Sequence, residues 1–488
     1  MAVTVLGSGM AFLDGTIVNV ALPAIGRDLH ATTSELQWVL SGYLLTLASL
    51  ILLGGSLGDR YGRRRVFVIG AALFSAASAL CALAPTIGWL IAARVLQGIG
   101  GALLTPGSLA MIEASFRRAD RPRAIGAWSG MTGVATALGP LLGGYLVTAV
   151  SWRAAFYINV PLGAFVVLCA RKVPESSNPD QQGRLDFAGV VLAFLALAGC
   201  TYALIEGPQG GAELATTLAA AVGLAALVAF IVVERRSAAP MLPLDIFSRQ
   251  FSFANVVTFV VYAALGGVFF LLVAFLQISL GYSPLAAGSA TLPVTVLMLL
   301  FSPSSAALAQ KIGPRLQLAL GPLVVAAGML WMTQIEPGDS YVTGVLPPVL
   351  VFGAGLTLVV SPITAAVLAA ASERYAGIAS GVNNAVARVA SLLAVALLPA
   401  IAGLTGEAFY KPSAMTDGFH VAMVVCACLA AAGGVIAWLT IDNSVLEEAP
   451  AAAEPAAVAE LTAYSCGVTG PPLRLGADGV HARESAPA

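Results

Sequence analysis

The chain has 488 residues, 58% of them hydrophobic and only 10% charged, with a formal net charge of −1 and a mean hydropathy of +0.89. Soluble domains carry about 25% charged residues, so a water-soluble globule is excluded. The apolar surplus comes in repeated runs of about 20 residues, each long enough to cross a bilayer, and the short alternating strands of a membrane barrel are absent. The expectation is an all-α polytopic membrane protein.

In chain order the apolar runs are 4–25, 36–57, 66–84, 87–114, 123–149, 152–170, 187–206, 214–233, 252–279, 286–309, 317–334, 342–370, 376–403 and 418–440, fourteen candidate transmembrane helices. Each is bounded by a short segment rich in Gly, Pro or Arg. Met1 to Gly9 contain no Lys or Arg, so a cleavable signal with a basic start is not expected.

The first run carries Asp14, the fourth Arg94 and the thirteenth Arg388, ionisable residues inside apolar spans. Each costs kilocalories in hydrocarbon, so such residues usually face a bundle interior and mark an ion or substrate path. Arginine stays charged, which leaves Asp14 as the group able to release a proton. Burial favours a neutral carboxyl and a nearby cation favours the charged one. A carboxyl that alternates between those surroundings can load and release a proton, and Asp14 with Arg94 is the candidate for that coupling.

The loop after the second run reads Gly55-Ser-Leu-Gly58-Asp59-Arg60-Tyr61-Gly62-Arg63-Arg64-Arg65. Its glycines permit close helices and a sharp turn, and Asp59 can accept hydrogen bonds from a helix N-terminus. In the fourth run Arg94, Gln97, Gly98 and Gly101 stand at i, i+3, i+4 and i+7, so they share one helical face. The fifth run contains Gly130, Gly133 and then Gly139-Pro140-Leu-Leu-Gly143-Gly144, where proline kinks the helix and the glycines allow tight packing. Glu113, at the end of the fourth run, is a candidate partner for Arg63.

The pair 187–206 and 214–233 reads as a hairpin inserted between two six-helix halves. The expected organisation is a first bundle over 1–172, a linker with two extra transmembrane helices over 173–240, a second bundle over 241–442, and a disordered cytoplasmic tail over 443–488. With the N-terminus inside, 19 of the 24 Lys and Arg residues fall on the cytoplasmic side, 3 fall outside and the remaining two are Arg94 and Arg388. That asymmetry supports fourteen spans with both termini cytoplasmic.

In the second half, 376–403 carries a small-polar stripe of Gly377, Gly381, Asn384, Arg388 and Ser391, with Asn383 beside it. Arg388 has no acid in its own half at this depth and can contact substrate or Asp14, or serve as a packing anchor. Gln97, Trp128, Asn159, Asn383, Asn384 and Arg388 are candidate pathway residues. Runs 252–279 and 286–309 contain no acidic residue, which favours neutral or monocationic lipophilic substrates. The six cysteines and three histidines form no CxxC pair and no Cys/His cluster, so no metal site and no redox chemistry are expected. A nucleophile–base set and a phosphate loop are likewise missing, so an enzyme is not expected.

The loop from Gly55 to Arg65 resembles the signature loop of the major facilitator superfamily, and Ala309-Gln310-Lys311-Ile312-Gly313-Pro314-Arg315 is a decayed second copy with Gln310 in the acid's place. The Gly-Pro-x-x-Gly-Gly run at 139–144 is similar to the family's exporter-specific motif. Together with Phe12-Leu-Asp14-Gly-Thr and Trp152-Arg153 followed by Phe156-Tyr-Ile-Asn159-Val-Pro161, these segments resemble the fourteen-helix drug/proton antiporter branch, the EmrB/QacA type. The resemblance implies the major facilitator fold, a gating loop of Gly55, Asp59, Arg60, Gly62, Arg63 and Arg64 in which Asp59 meets the start of helix 376–403, and an antiporter motif of Gly139, Pro140, Gly143 and Gly144. It also implies proton-coupled efflux of lipophilic drugs or antibiotics across a bacterial inner membrane, powered by the proton gradient with no bound cofactor. The expected partners are a small lipophilic substrate and the bilayer, with no nucleic acid, and a monomer is compatible with this reading. Rival readings are a dedicated exporter of one endogenous metabolite and a non-transporting sensor on the same scaffold.

Overall fold

The computed structural model describes residues 1–115, 121–177, 186–210, 213–237, 240, 242–371 and 376–446. Among them there is no β-strand, and thirteen helices are long and apolar enough to span a membrane. In chain order the helices are α1 (Ala2–Asp28), α2 (Thr33–Tyr61), α3 (Arg63–Ala82), α4 (Ile87–Ser115), α5 (Arg121–Ala149), α6 (Trp152–Tyr157), α7 (Asn159–Ala170), α8 (Phe187–Glu206), α9 (Glu213–Arg236), α10 (Arg249–Ile278), α11 (Pro284–Ala290), α12 (Leu292–Ile312), α13 (Pro314–Met332), α14 (Leu346–Ala369), α15 (Ala376–Ile401) and α16 (Pro412–Thr440).

Runs 152–170 and 286–309 are each a single pass built from two helical pieces, α6 with α7 and α11 with α12. The fourteenth predicted run is α5, whose apolar part is Val134–Ala149. The predicted count of fourteen is therefore consistent with the helices observed. The tail differs at its start: Asn443–Leu446 form a short helical turn and pack against α13 and α14. Residues 447–488, the rest of the expected tail, lie outside the described residues.

Local chemistry sets the helix ends. Thr32 and Glu35 form a reciprocal capping box at the start of α2, satisfying two of the free backbone donors there. Ser248 caps α10, and Ser283 caps α11 ahead of Pro284 at its first position. Gly62 separates α2 from α3 and Gly313 separates α12 from α13, with φ of +106° and +81°. L-residues with a side chain rarely adopt these values, so both sharp reversals require glycine.

The helix pairings repeat. In the first half α1 packs on α5 and α7, α2 on α4, and α3 on α4 and α7. In the second half α10 packs on α15 and α16, α12 on α14, and α13 on α14 and α16. The halves meet where α2 lies against α15, where α5 lies against α11 and α12, and where α1 lies against α10. The α8–α9 hairpin pairs with itself through Gly199 and Gly223, and α8 reaches α2 and α15. Backbone approach at such small residues supplies the packing that lipid cannot drive hydrophobically.

Candidate functional site

Asp14 and Arg94 are both fully buried, and they pair directly, with Arg94 Nη1 2.5 Å from Asp14 Oδ2. The other carboxylate oxygen, Oδ1, accepts from Gln97 Nε2 at 2.8 Å and from Asn159 Nδ2 at 3.2 Å. Arg94 also donates to Gln97 Oε1 at 2.7 Å and, through Nε, to the Val39 carbonyl at 3.0 Å. Its guanidinium lies 4.3 Å from the ring centre of Tyr43 and 5.8 Å from that of Phe156. Those ring faces offset the remaining positive charge. Ser78 completes the cluster by donating to the Phe156 carbonyl while accepting from Gln97 and Asn159.

The helices dictate this convergence. Arg94, Gln97 and Gly98 share one face of α4, where Gly98 lets α4 press onto α2: a Cβ there would stand 2.0 Å from Thr46 Oγ1 and 2.4 Å from the Tyr43 carbonyl. That close approach brings Arg94 to Tyr43 and Val39, while α1 delivers Asp14 from the other side. A buried ion pair of this kind needs its lone pairs and protons filled by further hydrogen bonds; Gln97 and Asn159 serve the carboxylate and Arg94 Nη1, while Arg94 Nη2 is buried without a hydrogen-bond partner. Asn19 points elsewhere and donates to the Gly15 carbonyl. Ser78 was not singled out in the sequence, because a lone serine in an apolar helix carries no signal.

The two halves are stitched together at one end, the end that carries the α1–α2 turn. Gln37 Nε2 donates to the carbonyls of Val395 and Ala396 at 2.8 and 2.9 Å. Thr33 donates to the Gly406 carbonyl, Gln277 to that of Val20, and Tyr410 to that of Ala31. The Leu285 N–H also donates to Thr148 Oγ1 across the halves. The Gly139–Gly144 segment is part of the seam. A Cβ on Gly139 would meet Thr16 Oγ1 at 1.9 Å, and one on Gly143 would lie 3.2 Å from Ile17, so both glycines dock α5 on α1. Gly144 faces the opposite half, where a Cβ would fall 2.6 Å from the Pro284 carbonyl. Gly288 of α11 returns the contact at Pro140, 2.1 Å from that carbonyl.

At the α2–α3 turn, Asp59 pairs with Arg63, whose Nε and Nη2 both lie 2.8 Å from Oδ1. Arg63 Nη1 also reaches the Ala110 carbonyl of α4. Gly55, one turn earlier, faces Pro106, and Arg60 stacks over Tyr61. The Glu113 side chain lies outside the described residues. The structure adds Glu175, which the sequence reading missed. Its carboxylate accepts from the Arg64 backbone N–H at 2.9 Å and pairs with the side chains of Arg64 and Arg65 at 3.5 and 3.8 Å. A Cβ on Gly62 would lie 2.7 Å from this carboxyl.

The second half repeats the device with Asn443, whose Oδ1 accepts from the Arg315 backbone N–H at 3.2 Å beside Gly313. In each half, the chain leaving the last helix returns to cap the helix after the glycine turn. The visible signal was one acid just past a span; its partner was unknowable without the fold.

The pathway candidates divide. Gln97 and Asn159 are fully buried in the Asp14 cluster. Trp128 is half-buried and donates to Ser8 Oγ, which in turn donates to Ser108, tying α5 to α1 and α4. Asn383 accepts from Thr258 of α10, and Asn384 is half-buried. Arg388 is half-buried, with its guanidinium 5.5 Å from the ring centre of Phe12 across the halves. No group of three or more potential metal-ligating side chains occurs among the described residues.

Comparison with known proteins agrees with this architecture. The family model of the Major Facilitator Superfamily matches residues 4–395. The chain is similar to the multidrug resistance protein Stp of Mycobacterium tuberculosis, with 37% identity over 416 residues covering 84% of this chain and 76% of that protein. It is similar also to the tetracenomycin C resistance and export protein of Streptomyces glaucescens, with 34% identity and coverage of 83% and 76%. Among solved structures, that of the peptide transporter POT in complex with sulfate superposes with a TM-score of 0.65 at 17% identity, over 90% of this chain and 93% of that one, a likeness of fold alone.

Proposed function

The chain belongs to the major facilitator superfamily, and from that premise we propose that this multi-pass membrane protein is a proton-coupled efflux transporter that exports lipophilic drugs or antibiotics by alternating access. The similarity to resistance and export proteins supports the cargo class and the direction. The observation that carries the coupling is the fully buried Asp14, held by Arg94, Gln97 and Asn159 in a bundle of two like halves. A static buried ion pair is weak evidence of a stabilising role, so a titratable acid at this depth is better explained by protons that come and go.

In this reading the arginine-rich loops and both termini face the cytoplasm of a bacterial inner membrane. The stitched α1–α2 end is then the outer end, and the conformation described is closed to the outside. Protonation of Asp14 removes the charge that Arg94, Gln97 and Asn159 jointly hold, which weakens the cluster joining α1 to α3, α4 and α7. For drug to move out while protons move in, that proton must load from outside and favour return to the conformation described, from the alternative, outward-open arrangement of the halves. There the outer contacts of Gln37, Thr33, Gln277 and Tyr410 part, and Asp59 is free to leave Arg63 and cap α15. Proton release inward resets the pair.

The test is substrate-driven collapse of a pH gradient in energised inverted vesicles, with wild type beside Asp14→Asn. Collapse by several lipophilic compounds, abolished in the variant, is the expected result. Collapse by a single compound would narrow the protein to a dedicated exporter. A response that survives Asp14→Asn would remove the proton from Asp14.

A further inference from the structure

We infer that the cargo is a lipophilic acid, an apolar ring-bearing compound whose carboxylate or phenolate docks on Arg388 at the interface of the two halves. The inference rests on the export reading and names the substrate class for it.

Three mid-span residues carry charge: Asp14, Arg94 and Arg388. The first two neutralise each other. Both Asp14 oxygens are occupied, and the pair is sealed from solvent. Arg388 is therefore the residual charge of the membrane interior, and it is positive. Among the described residues it makes no hydrogen bond and no ion pair; its recorded contact is the Phe12 ring of the opposite half. Half-buried as it is, the guanidinium keeps access to the space between the halves.

A cation left this way in a low-dielectric setting raises the free energy of any bound cation and lowers that of a bound anion. Arginine's planar fork matches a carboxylate with two parallel hydrogen bonds, and the neighbouring Phe12 face suits a flat apolar body. Toward the closed end, a cavity of about 550 Å³ lies between α1, α10 and the turn before α16. It is lined by Arg27 and His30 as well as Gln277 and Tyr410. Gln277 Oε1 there is buried without a partner, and Arg27 makes no ion pair among the described residues. An acidic cargo departs from the sequence-based expectation of neutral or monocationic substrates, which rested only on the lack of acids in runs 252–279 and 286–309.

The experiment uses the full chain in nanodiscs and three matched probes: 1-naphthaleneacetate, its neutral amide, and 1-naphthylmethylammonium. Calorimetric titration at pH 8 should rank the acetate about tenfold to hundredfold tighter than the amide, with the ammonium weakest. Arg388→Gln should bring the acetate to the level of the amide while amide binding stays unchanged, which also reports an intact fold. Arg388→Lys should keep most of the preference. Amide or ammonium binding that equals the acetate, a preference that survives Arg388→Gln, or no binding of any probe would overturn the inference.

The gradient-collapse assay separates the two readings. Acetate preference without any proton movement would sink export and leave the Arg388 site standing. Collapse driven by the cation alone would do the reverse.

Discussion

Asp14 and Arg94 should be energetically inseparable, and a double-mutant cycle measures that. Asp14→Asn removes the negative charge yet keeps the shape. The new amide has one acceptor and one donor face, whereas the carboxylate accepts three hydrogen bonds, from Arg94 Nη1, Gln97 Nε2 and Asn159 Nδ2. Either orientation sets a donor against a donor and leaves the Arg94 charge buried without a counter-charge. Breaking one partner of a buried pair costs about 3–5 kcal/mol. Gln97 Oε1 and the Val39 carbonyl still accept from Arg94, and the Tyr43 and Phe156 rings still face it, which places the expected cost near the lower bound. Arg94→Gln strands the carboxylate in the same way.

The double variant leaves two amides that can pair with each other. Its loss should fall short of the summed single losses by about 2–3 kcal/mol. Unfolding in mixed micelles titrated with SDS at pH 7 reads all four proteins. Additivity within about 0.5 kcal/mol would refute the direct pairing. The double variant should also fold yet fail to collapse a pH gradient, because it carries no titratable group in the cluster.

Gly144→Val should disfavour the conformation described, since its first added carbon already falls 2.6 Å from the Pro284 carbonyl and 2.7 Å from Leu285 Cα. Cysteine labelling at the α1–α2 end should become faster, and labelling no faster than wild type would contradict the close packing of α5 on α11. Glu175→Ala should cost about 1–2 kcal/mol by uncapping α3 at the Arg64 N–H and releasing Arg64 and Arg65, read as a lower unfolding midpoint. An unchanged midpoint would mean that water replaces the carboxylate without loss.

Tyr410 offers a pH signature. Burial, reinforced by the nearby Glu35 carboxylate, pushes its phenol up to about 12 from an ordinary 10, so the folded state holds the proton over a window in which the unfolded chain loses it. The stability contributed is full below pH 10 and is lost as pH rises toward 12. Tyr410→Phe, which also removes the 2.5 Å bond to the Ala31 carbonyl, should flatten stability across that window. A slope unchanged in the variant would assign it to another group.

Much was legible in the sequence because lipid imposes simple rules. Runs long enough to cross hydrocarbon, bounded by Gly, Pro and Arg, dictate the helical class and the span count, since backbone groups in a bilayer must be satisfied within the helix. Mid-span charge singled out Asp14, Arg94 and Arg388 for the same reason: hydrocarbon tolerates few such residues. Helical periodicity put Arg94 and Gln97 on one face before any partner was known. What only the tertiary structure decided is which faces meet.

Asp14, Gln97 and Asn159 come from α1, α4 and α7, and nothing in their sequence spacing distinguishes Asn159, which binds the carboxylate, from Asn383, which binds Thr258 within its own half. Glu175 and Asn443 were equally invisible as caps, because each acts on a helix more than a hundred positions earlier in the chain. Periodicity reports the direction of a side chain relative to its own helix. The distance to a partner is set by close-packed glycines such as Gly98 and Gly144, whose effect exists only once two helices touch.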